Sequence, residues 1–287
     1  MRGAAGNSGL MKGNVAARLF SSCCLALAAL LSAGCGGGAS GDAWNRLQEG
    51  VETARSLAAR NTPLSFREEL TLRYLTPLGD LEQKVYLEGA LILPDRERYE
   101  QKESWSGSLL TEEEKGAQLS YVTLDGGKTA YIKGARLEEG LGAAGWLYLK
   151  EPAESVGFLD YLGLLQGLAD EAVEVREEGV ELVGGRDCLR LELWLDTEAM
   201  LRRQLEADPA FRMRYEKMEE APSVEEAACG LWLGKDDHIP ARVYSMMVLK
   251  APGKEESFRV EMKVEFFSYG EPPRPPIDGP AVYTVVE

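Results

Sequence analysis

Residues 258–266 have the sequence Phe-Arg-Val-Glu-Met-Lys-Val-Glu-Phe, in which apolar side chains alternate with charged ones. Because successive side chains of a β-strand point to opposite faces, this alternation predicts a strand with one dry face and one face in water. The same pattern follows Pro63, over residues 66–74, and returns at residues 189–195. Strands solvated on one side are typical of antiparallel sheets, so the sequence favours an antiparallel sheet over a parallel Rossmann-type one.

Eight further segments are predicted as strands from their apolar content and the turns that flank them. They are residues 82–93, 97–105, 118–124, 128–133, 146–150, 172–175, 230–234 and 241–249. Glycine turns at residues 125–127 and 184–185 separate neighbouring strands, since glycine accepts the positive φ of a tight hairpin. Successive strands joined by short connections predict a meander.

Three segments have helical character and are expected to cover the apolar face of the sheet. Residues 42–60 begin with Asp42, a good N-cap, and repeat apolar side chains at helical spacing. Residues 155–168 are apolar nearly all round and must therefore be enclosed. Residues 197–218 are amphipathic and are interrupted at Asp208-Pro209. The sequence thus predicts an α+β domain, a long curved antiparallel sheet with helices over one face.

The first 34 residues differ from the rest because they contain cations but no carboxylates. A basic start followed by the apolar run at residues 19–31 is typical of an export signal, and the run is too short to span a bilayer. The string Leu31-Ser-Ala-Gly-Cys35 resembles the bacterial lipobox. It implies a lipoprotein signal peptide at residues 1–34 and diacylation (palmitate-type acyl chains) of Cys35; the alternative is a plain signal peptide with an incidental cysteine.

Residues 35–41 are then the acylated cysteine and a flexible Gly/Ser tether, and residues 42–287 form one domain. Lys and Arg total 32 against 47 Asp and Glu, a net charge of −15. This acidity argues against a nucleic-acid partner, which needs a cationic patch, and against attraction to anionic head groups. We therefore expect acyl chains to anchor the exported protein to the outer face of the cytoplasmic membrane, or to an outer membrane where the cell has two.

After cleavage, Cys188 and Cys229 remain beside the acylated cysteine. The exported location favours one disulfide between them. Cys188, however, has the outward parity of its strand, whereas Cys229 shares the parity of Leu231 and Leu233, and a cross-strand bridge needs matching faces. The sequence leaves both outcomes open.

The search for catalytic and metal-ligating residues is mostly negative. His238 is the single histidine and lies beside Asp236 and Asp237, which could orient it as a base. No Gly-x-Ser-x-Gly motif accompanies it, and a hairpin turn accounts for these polar residues. One histidine and two scattered cysteines do not make a zinc site. Residues 140–145 match a dinucleotide fingerprint but precede a predicted strand instead of a helix. We expect no enzyme, no cofactor and no metal.

The order of these elements resembles the LolA/LolB and LppX/LprG-like superfamily of bacterial lipoprotein carriers and lipid-binding lipoproteins. The motifs that carry the resemblance are the lipobox, the Trp-Leu-Tyr-Leu-Lys string at 146–150, the glycine-turn strand at 183–193, the Trp-turn-Pro-Arg hairpin at 231–242 and the terminal strand at 266–270. The resemblance implies an open half-barrel whose concave face is covered by helices around an apolar cavity. The charged stretch at 202–226 is longer than the corresponding part of this family pattern. Two alternatives therefore stay open, a cavity mouth that is open and one that is capped.

The resemblance implies a membrane-anchored lipoprotein that binds a lipid or another amphiphile for carriage or presentation at the cell envelope. The expected cavity liners are apolar side chains of the enclosed helix and of the facing strand: Phe158, Leu162, Leu165, Phe258, Met262 and Phe266. The alternative is a densely packed interior without a void, which is the usual state of protein interiors. The rival function is a regulatory or structural envelope lipoprotein that uses the same scaffold to bind a protein partner.

Overall fold

The computed structural model describes residues 41–110, 114–126, 128–134, 145–149, 159–196, 223–250 and 255–286. Its helices are α1 (Gly41–Ala59) and α2 (Tyr161–Glu171). Its strands are β1 (Pro63–Thr76), β2 (Gly79–Ile92), β3 (Arg96–Ser106), β4 (Glu114–Leu124), β5 (Thr129–Lys133), β6 (Trp146–Leu149), β7 (Ala172–Val183), β8 (Arg186–Leu195), β9 (Ser223–Gly234), β10 (Pro240–Lys250), β11 (Ser257–Phe267) and β12 (Tyr283–Val286).

All twelve strands belong to one sheet, in the order β12-β6-β5-β4-β3-β2-β1-β11-β10-β9-β8-β7. Neighbouring strands are antiparallel except β12 and β6, which are parallel. The sheet is open, since β12 and β7 lie at its two edges. A long open antiparallel sheet with helices over one face confirms the predicted fold class.

The predicted single meander is wrong in its connections. Strands β1–β6 form one meander and β7–β11 form a second, and the two meet where β1 pairs with β11. The chain leaves β6 near one edge and passes through α2 to β7 at the other edge. Strands β7 and β9 extend furthest beyond their predicted bounds: β7 continues to Val183 and β9 begins at Ser223. The short edge strand β12 was not predicted.

The described helices agree with the prediction in position but not in every boundary. Helix α1 matches the predicted segment 42–60 closely. Helix α2 begins at Tyr161, where the side chain of Asp160 accepts a hydrogen bond from the Gly163 amide (2.8 Å), and ends at Glu171. Residues 151–158 and the predicted helix at 197–218 lie outside the described residues. Within the described part of the chain, no helix has the length and apolar content needed to cross a membrane.

The sheet has an inner face, which α1 and α2 cover, and an outer face. On β11, Val260, Met262, Val264 and Phe266 lie in one apolar core with residues of both helices. The alternate residues of β11 form ion pairs on the outer face, such as that between Glu265 and Arg242 at 2.6 Å. The alternation in the sequence therefore separates the core from the solvated side of the sheet.

Smaller apolar clusters lie on the outer face. Val183, Cys188, Trp232 and Ala241 form one of them. A second cluster contains Val122, Tyr131 and Ile277. Ile277 belongs to the C-terminal segment, which packs against β4 and β5 before it reaches β12. This packing explains how a strand so far along the sequence pairs with β6.

Candidate functional site

The structure brings five of the six predicted cavity liners together on the inner face. Leu165, Met262 and Phe266 are buried in the main core, and Leu162 and Phe258 pack against it. The sixth, Phe158, lies outside the described residues, as does the lipidation residue Cys35. The described liners thus belong to one apolar face, which extends from α2 along the length of β11.

The two helices close one end of the inner face, where β1 begins and β11 ends. The ring of Tyr161 packs edge-on against Phe266, with 4.9 Å between ring centroids. The main chain of α1 approaches β9 so closely at Gly50 that a β-carbon there would lie 2.7 Å from Leu233 Cδ2. The two helices thus pack against the ends of β11 and β9, and we call this region the closed end of the inner face.

The opposite end of the inner face carries apolar side chains that are only partly buried. Tyr74 of β1 pairs with Phe258 of β11, Phe258 pairs with Leu249 of β10, and Leu249 pairs with Val224 of β9. Tyr74 is 39% exposed and Val224 is 38% exposed. We call these four residues the apolar rim. The apolar inner face thus runs from a closed end at the helices to this rim.

Two carboxyl groups interrupt the apolar inner face. Glu68 on β1 is 7% exposed and Glu97 on β3 is 2% exposed. Glu97 accepts a hydrogen bond from the main-chain amide of Leu159 (3.2 Å) and another from the Thr123 hydroxyl (3.5 Å). Burial raises the pKa of Glu68 to about 7. Burial also raises the pKa of Glu97 to about 8, and repulsion by the charge of Glu68 adds to that shift.

The alternation of the sequence did not predict these two buried acids, although one of them breaks the apolar phase of its strand. In residues 66–74 the apolar positions are Phe66, Leu70, Leu72 and Tyr74, and Glu68 occupies the remaining position of the same phase. A charged residue in the apolar phase of a strand is a buried polar group, which is informative because such groups are rare. The inner-face position of Glu97 follows only from the pairing of β3 with its neighbours, because its own segment has no regular alternation.

The remaining polar side chains of the inner face are neutral or acidic. Gln83 of β2 donates a hydrogen bond to the carboxylate of Glu103 on β3. Ser245 of β10 is also buried. The inner-face positions of β1, β2, β3, β8, β9, β10 and β11 carry no Lys or Arg. The Lys and Arg residues of these strands lie at the alternate positions, on the outer face. These strands therefore offer no fixed positive charge to a ligand under the helices.

A groove on the outer face has different chemistry. Its volume is about 690 Å³, and it lies between β1–β3 and the segment 271–275. Its lining includes Glu88, Arg98, Glu100 and Arg274, charged residues of both signs. The groove is on the side of the sheet opposite the predicted liners, so it does not match the predicted apolar cavity.

The structure contradicts a disulfide between Cys188 and Cys229. Both are buried free thiols. Cys188 pairs with Gly234, whereas Cys229 pairs with Leu193 further along the same two strands. Cys188 lies in the outer cluster with Trp232, and Cys229 lies in the main core on the inner face. Opposite faces keep the two sulfurs apart, as the parity argument predicted.

His238 has structural contacts that account for its position. Its Nε2 atom lies 3.0 Å from Arg46 Nη1, and its Nδ1 atom lies 3.3 Å from Glu49 Oε2, so it joins the β9–β10 turn to α1. The neighbouring Asp237 is paired with Arg186 at 2.7 Å. Among the described residues, no group of three or more His, Cys, Asp or Glu side chains could hold a metal ion.

Comparison with known proteins finds likeness in structure only. No protein-family model matches the chain, and no curated protein matches it. The chain is similar to LprF from Mycobacterium bovis (14% identity, TM-score 0.44, covering 86% of this chain and 100% of that one). It is also similar to lipoprotein LppX from Mycobacterium tuberculosis (12% identity, TM-score 0.36, covering 80% and 96%) and to the MucA/MucB complex of Pseudomonas aeruginosa (16% identity, TM-score 0.27, covering 77% and 57%). The fold described above is established by the strands and their register.

Proposed function

We propose that this protein is an exported, lipid-anchored protein of the bacterial envelope that holds a lipid or another amphiphile between its sheet and its helices, for carriage or presentation. The observation that carries this proposal is the inner face itself. Apart from the buried acids Glu68 and Glu97, it is apolar across the central strands, closed by α1 and α2 at one end, and bordered by the partly exposed apolar rim at the other. An acyl chain that leaves water for such a surface gains about 25 cal/mol per Å² of apolar area.

The proposed anchor is the acylated Cys35 of the lipobox, followed by the Gly/Ser tether. An acidic body is repelled by anionic lipid head groups, so covalent acyl chains are the force that would hold it at the membrane. The tether would keep the sheet and its apolar rim in water, close to the lipids that the protein would bind.

The experiment that tests lipid binding is organic extraction of purified residues 36–287, followed by mass spectrometry. This chain lacks the signal peptide and Cys35 but keeps every residue that the structure describes. We expect a lipid to co-purify with it. An empty, stable protein that instead captures an envelope protein would support the rival function, a regulatory or structural lipoprotein.

A matched pair of variants locates the binding surface. Phe258→Asp places a charge in the apolar rim and is expected to abolish co-purification of the lipid. Phe267→Asp places the same charge on the outer face of the same strand, where Phe267 is 36% exposed, and is expected to leave the lipid bound. Equal loss in both variants would contradict binding at the inner face.

A further inference from the structure

Glu68 is a buried carboxyl group whose burial is not explained by the contacts of the described residues. It lies on β1 in the middle of the inner face, and its register neighbours are Leu87 on β2 and Val264 on β11. It has neither a hydrogen-bond nor an ion-pair partner within the described part of the protein, although it is only 7% exposed. Removing an unpaired carboxyl group from water is costly, and its neighbours offer no compensation. A residue of this kind is a candidate for ligand binding.

Glu97 supplies a second, independently fixed oxygen acceptor on the same face of the sheet as Glu68. The Leu159 amide and the Thr123 hydroxyl hold its carboxylate in place. In the register, Glu97 lies opposite Leu91 of β2 and Leu91 lies opposite Leu64 of β1, so Glu68 and Glu97 lie on the same face of the sheet, two strands apart. The titratable neighbour on β3 is Tyr99, which stacks on Tyr121 of β4 at 4.8 Å. The region therefore contains carboxyl and phenol groups, and the inner-face positions around it carry no Lys or Arg.

We propose that Glu68 and Glu97 bind the polar end of the amphiphile, and that this end is a hydrogen-bond donor, a primary amine or a hydroxyl group. The inference rests on the proposed function, because it requires acyl chains to occupy the inner face. An ammonium or hydroxyl group would donate to the free oxygens of Glu68, while the chain lies along Leu70 and Met262 towards the rim. A carboxylate, sulfate or phosphate would meet two acids, and the described inner-face positions around them carry no Lys or Arg to balance its charge, so we expect such head groups to bind more weakly.

The test is displacement of the neutral probe N-phenyl-1-naphthylamine from residues 36–287 at pH 7. The competitors are dodecylamine, dodecanol and dodecanoate, which differ only in their polar end. Since one hydrogen bond contributes roughly one factor of ten in affinity, we expect the amine and the alcohol to displace the probe at about tenfold lower concentration than dodecanoate.

Variants distinguish recognition by Glu68 from general attraction to an acidic protein. Glu68→Gln is expected to reduce the tenfold preference to about twofold or less. Glu69→Gln removes the same charge from the next residue of β1, which is exposed on the outer face, and is expected to keep the wild-type preference. Glu68→Met, a side chain of similar volume, serves if Glu68→Gln does not fold.

The two proposals fail in different ways. Equal displacement by all three competitors, a preference for dodecanoate, or an unchanged preference in Glu68→Gln would overturn the head-group site while lipid binding stands. Failure of the wild-type protein to bind the probe or any competitor would overturn the proposed function and this inference with it.

Discussion

Glu68 and Glu97 are the residues at which the inner face departs from ordinary apolar packing. Sequence alternation predicts which strand positions are buried, and it located the apolar liners on β11 because these follow a strict period of two. It did not identify the two acids, because charged residues are expected on the solvated face and these two lie on the buried face. A buried acid is visible only when the phase of its whole strand is considered or when the strand's partners are known.

These acids are expected to make the protein less stable as the pH rises. Their pKa values are about 7 and about 8 in the folded protein, against 4.5 for an ordinary glutamate. Between pH 4.5 and these values the folded state binds more protons than the unfolded state, so the stability present at lower pH is lost as the pH rises. Glu68→Gln should remove about 3 kcal/mol of this fall in the free energy of unfolding.

Urea denaturation at pH 5, 7 and 9 measures the effect. Glu69→Gln, on the solvated side of β1, is the control and should keep the full fall. A free energy of unfolding that rises over this range, or that falls equally in Glu68→Gln, would contradict the burial of an unpaired acid.

Gly89 shows a second constraint at the scale of one residue. A β-carbon at this position of β2 would overlap the main-chain oxygen of Arg98 and lie 2.6 Å from Tyr99 Cβ, so β2 and β3 would have to separate. We expect Gly89→Ala to lower the free energy of unfolding by about 3 kcal/mol, as overpacking does. Gly167→Ala in α2 meets no atom within 4 Å and should be neutral or stabilising. Thermal denaturation of both variants checks this, and equal effects would count against the described register.

At the scale of elements, the sequence predicted which segments are strands better than it predicted how they connect. Alternation is a local signal, and it was strong in β1, β8 and β11. The pairing of β1 with β11 joins segments almost two hundred residues apart, and no local pattern reports it. Strand β7 was predicted too short because its register shifts between Glu177 and Gly179, which interrupts the alternation. Strand β12 is short, and its parallel pairing with β6 depends on the packing of Ile277 on the outer face.

The start of α2 depends on a single cap. Asp160 accepts the Gly163 amide at 2.8 Å, and the preceding Leu159 amide is bound by Glu97. Asp160→Ala should cost about 1 kcal/mol of stability and speed hydrogen exchange at the Gly163 amide, since a helix N-cap is lost. Asp160→Asn should retain both properties because asparagine caps equally well. If the alanine variant exchanges no faster than the wild type, the cap does not hold the start of α2.

At the scale of the whole molecule, two meanders share one sheet, and both helices lie on the same side of it. The apolar surface is therefore gathered on one face, and the outer face carries the ion pairs. This arrangement suits a protein that takes an acyl chain from water without a covalent step. The sequence predicted this overall arrangement from composition and alternation, whereas the place of a polar head group required the three-dimensional register.

The proposed membrane attachment is tested with the full chain. Cys35→Ala is expected to abolish incorporation of labelled palmitate, because we propose that the lipobox cysteine is the acylated residue. Cys24→Ala, in the apolar run of the predicted signal, should leave labelling unchanged. Labelling that persists in Cys35→Ala would show that the anchor lies elsewhere.

The central claim is that an acyl chain lies against the inner face of the sheet. The measurement that tests it most directly is photolabelling of residues 36–287 with a hexadecanol that carries a diazirine at mid-chain, followed by peptide mapping. The account predicts labels on inner-face residues of β1, β11 and α2, such as Leu70, Met262 and Leu165, and none on the outer-face residues Trp232 and Phe267. Labels confined to the outer face, or no saturable labelling at all, would contradict it.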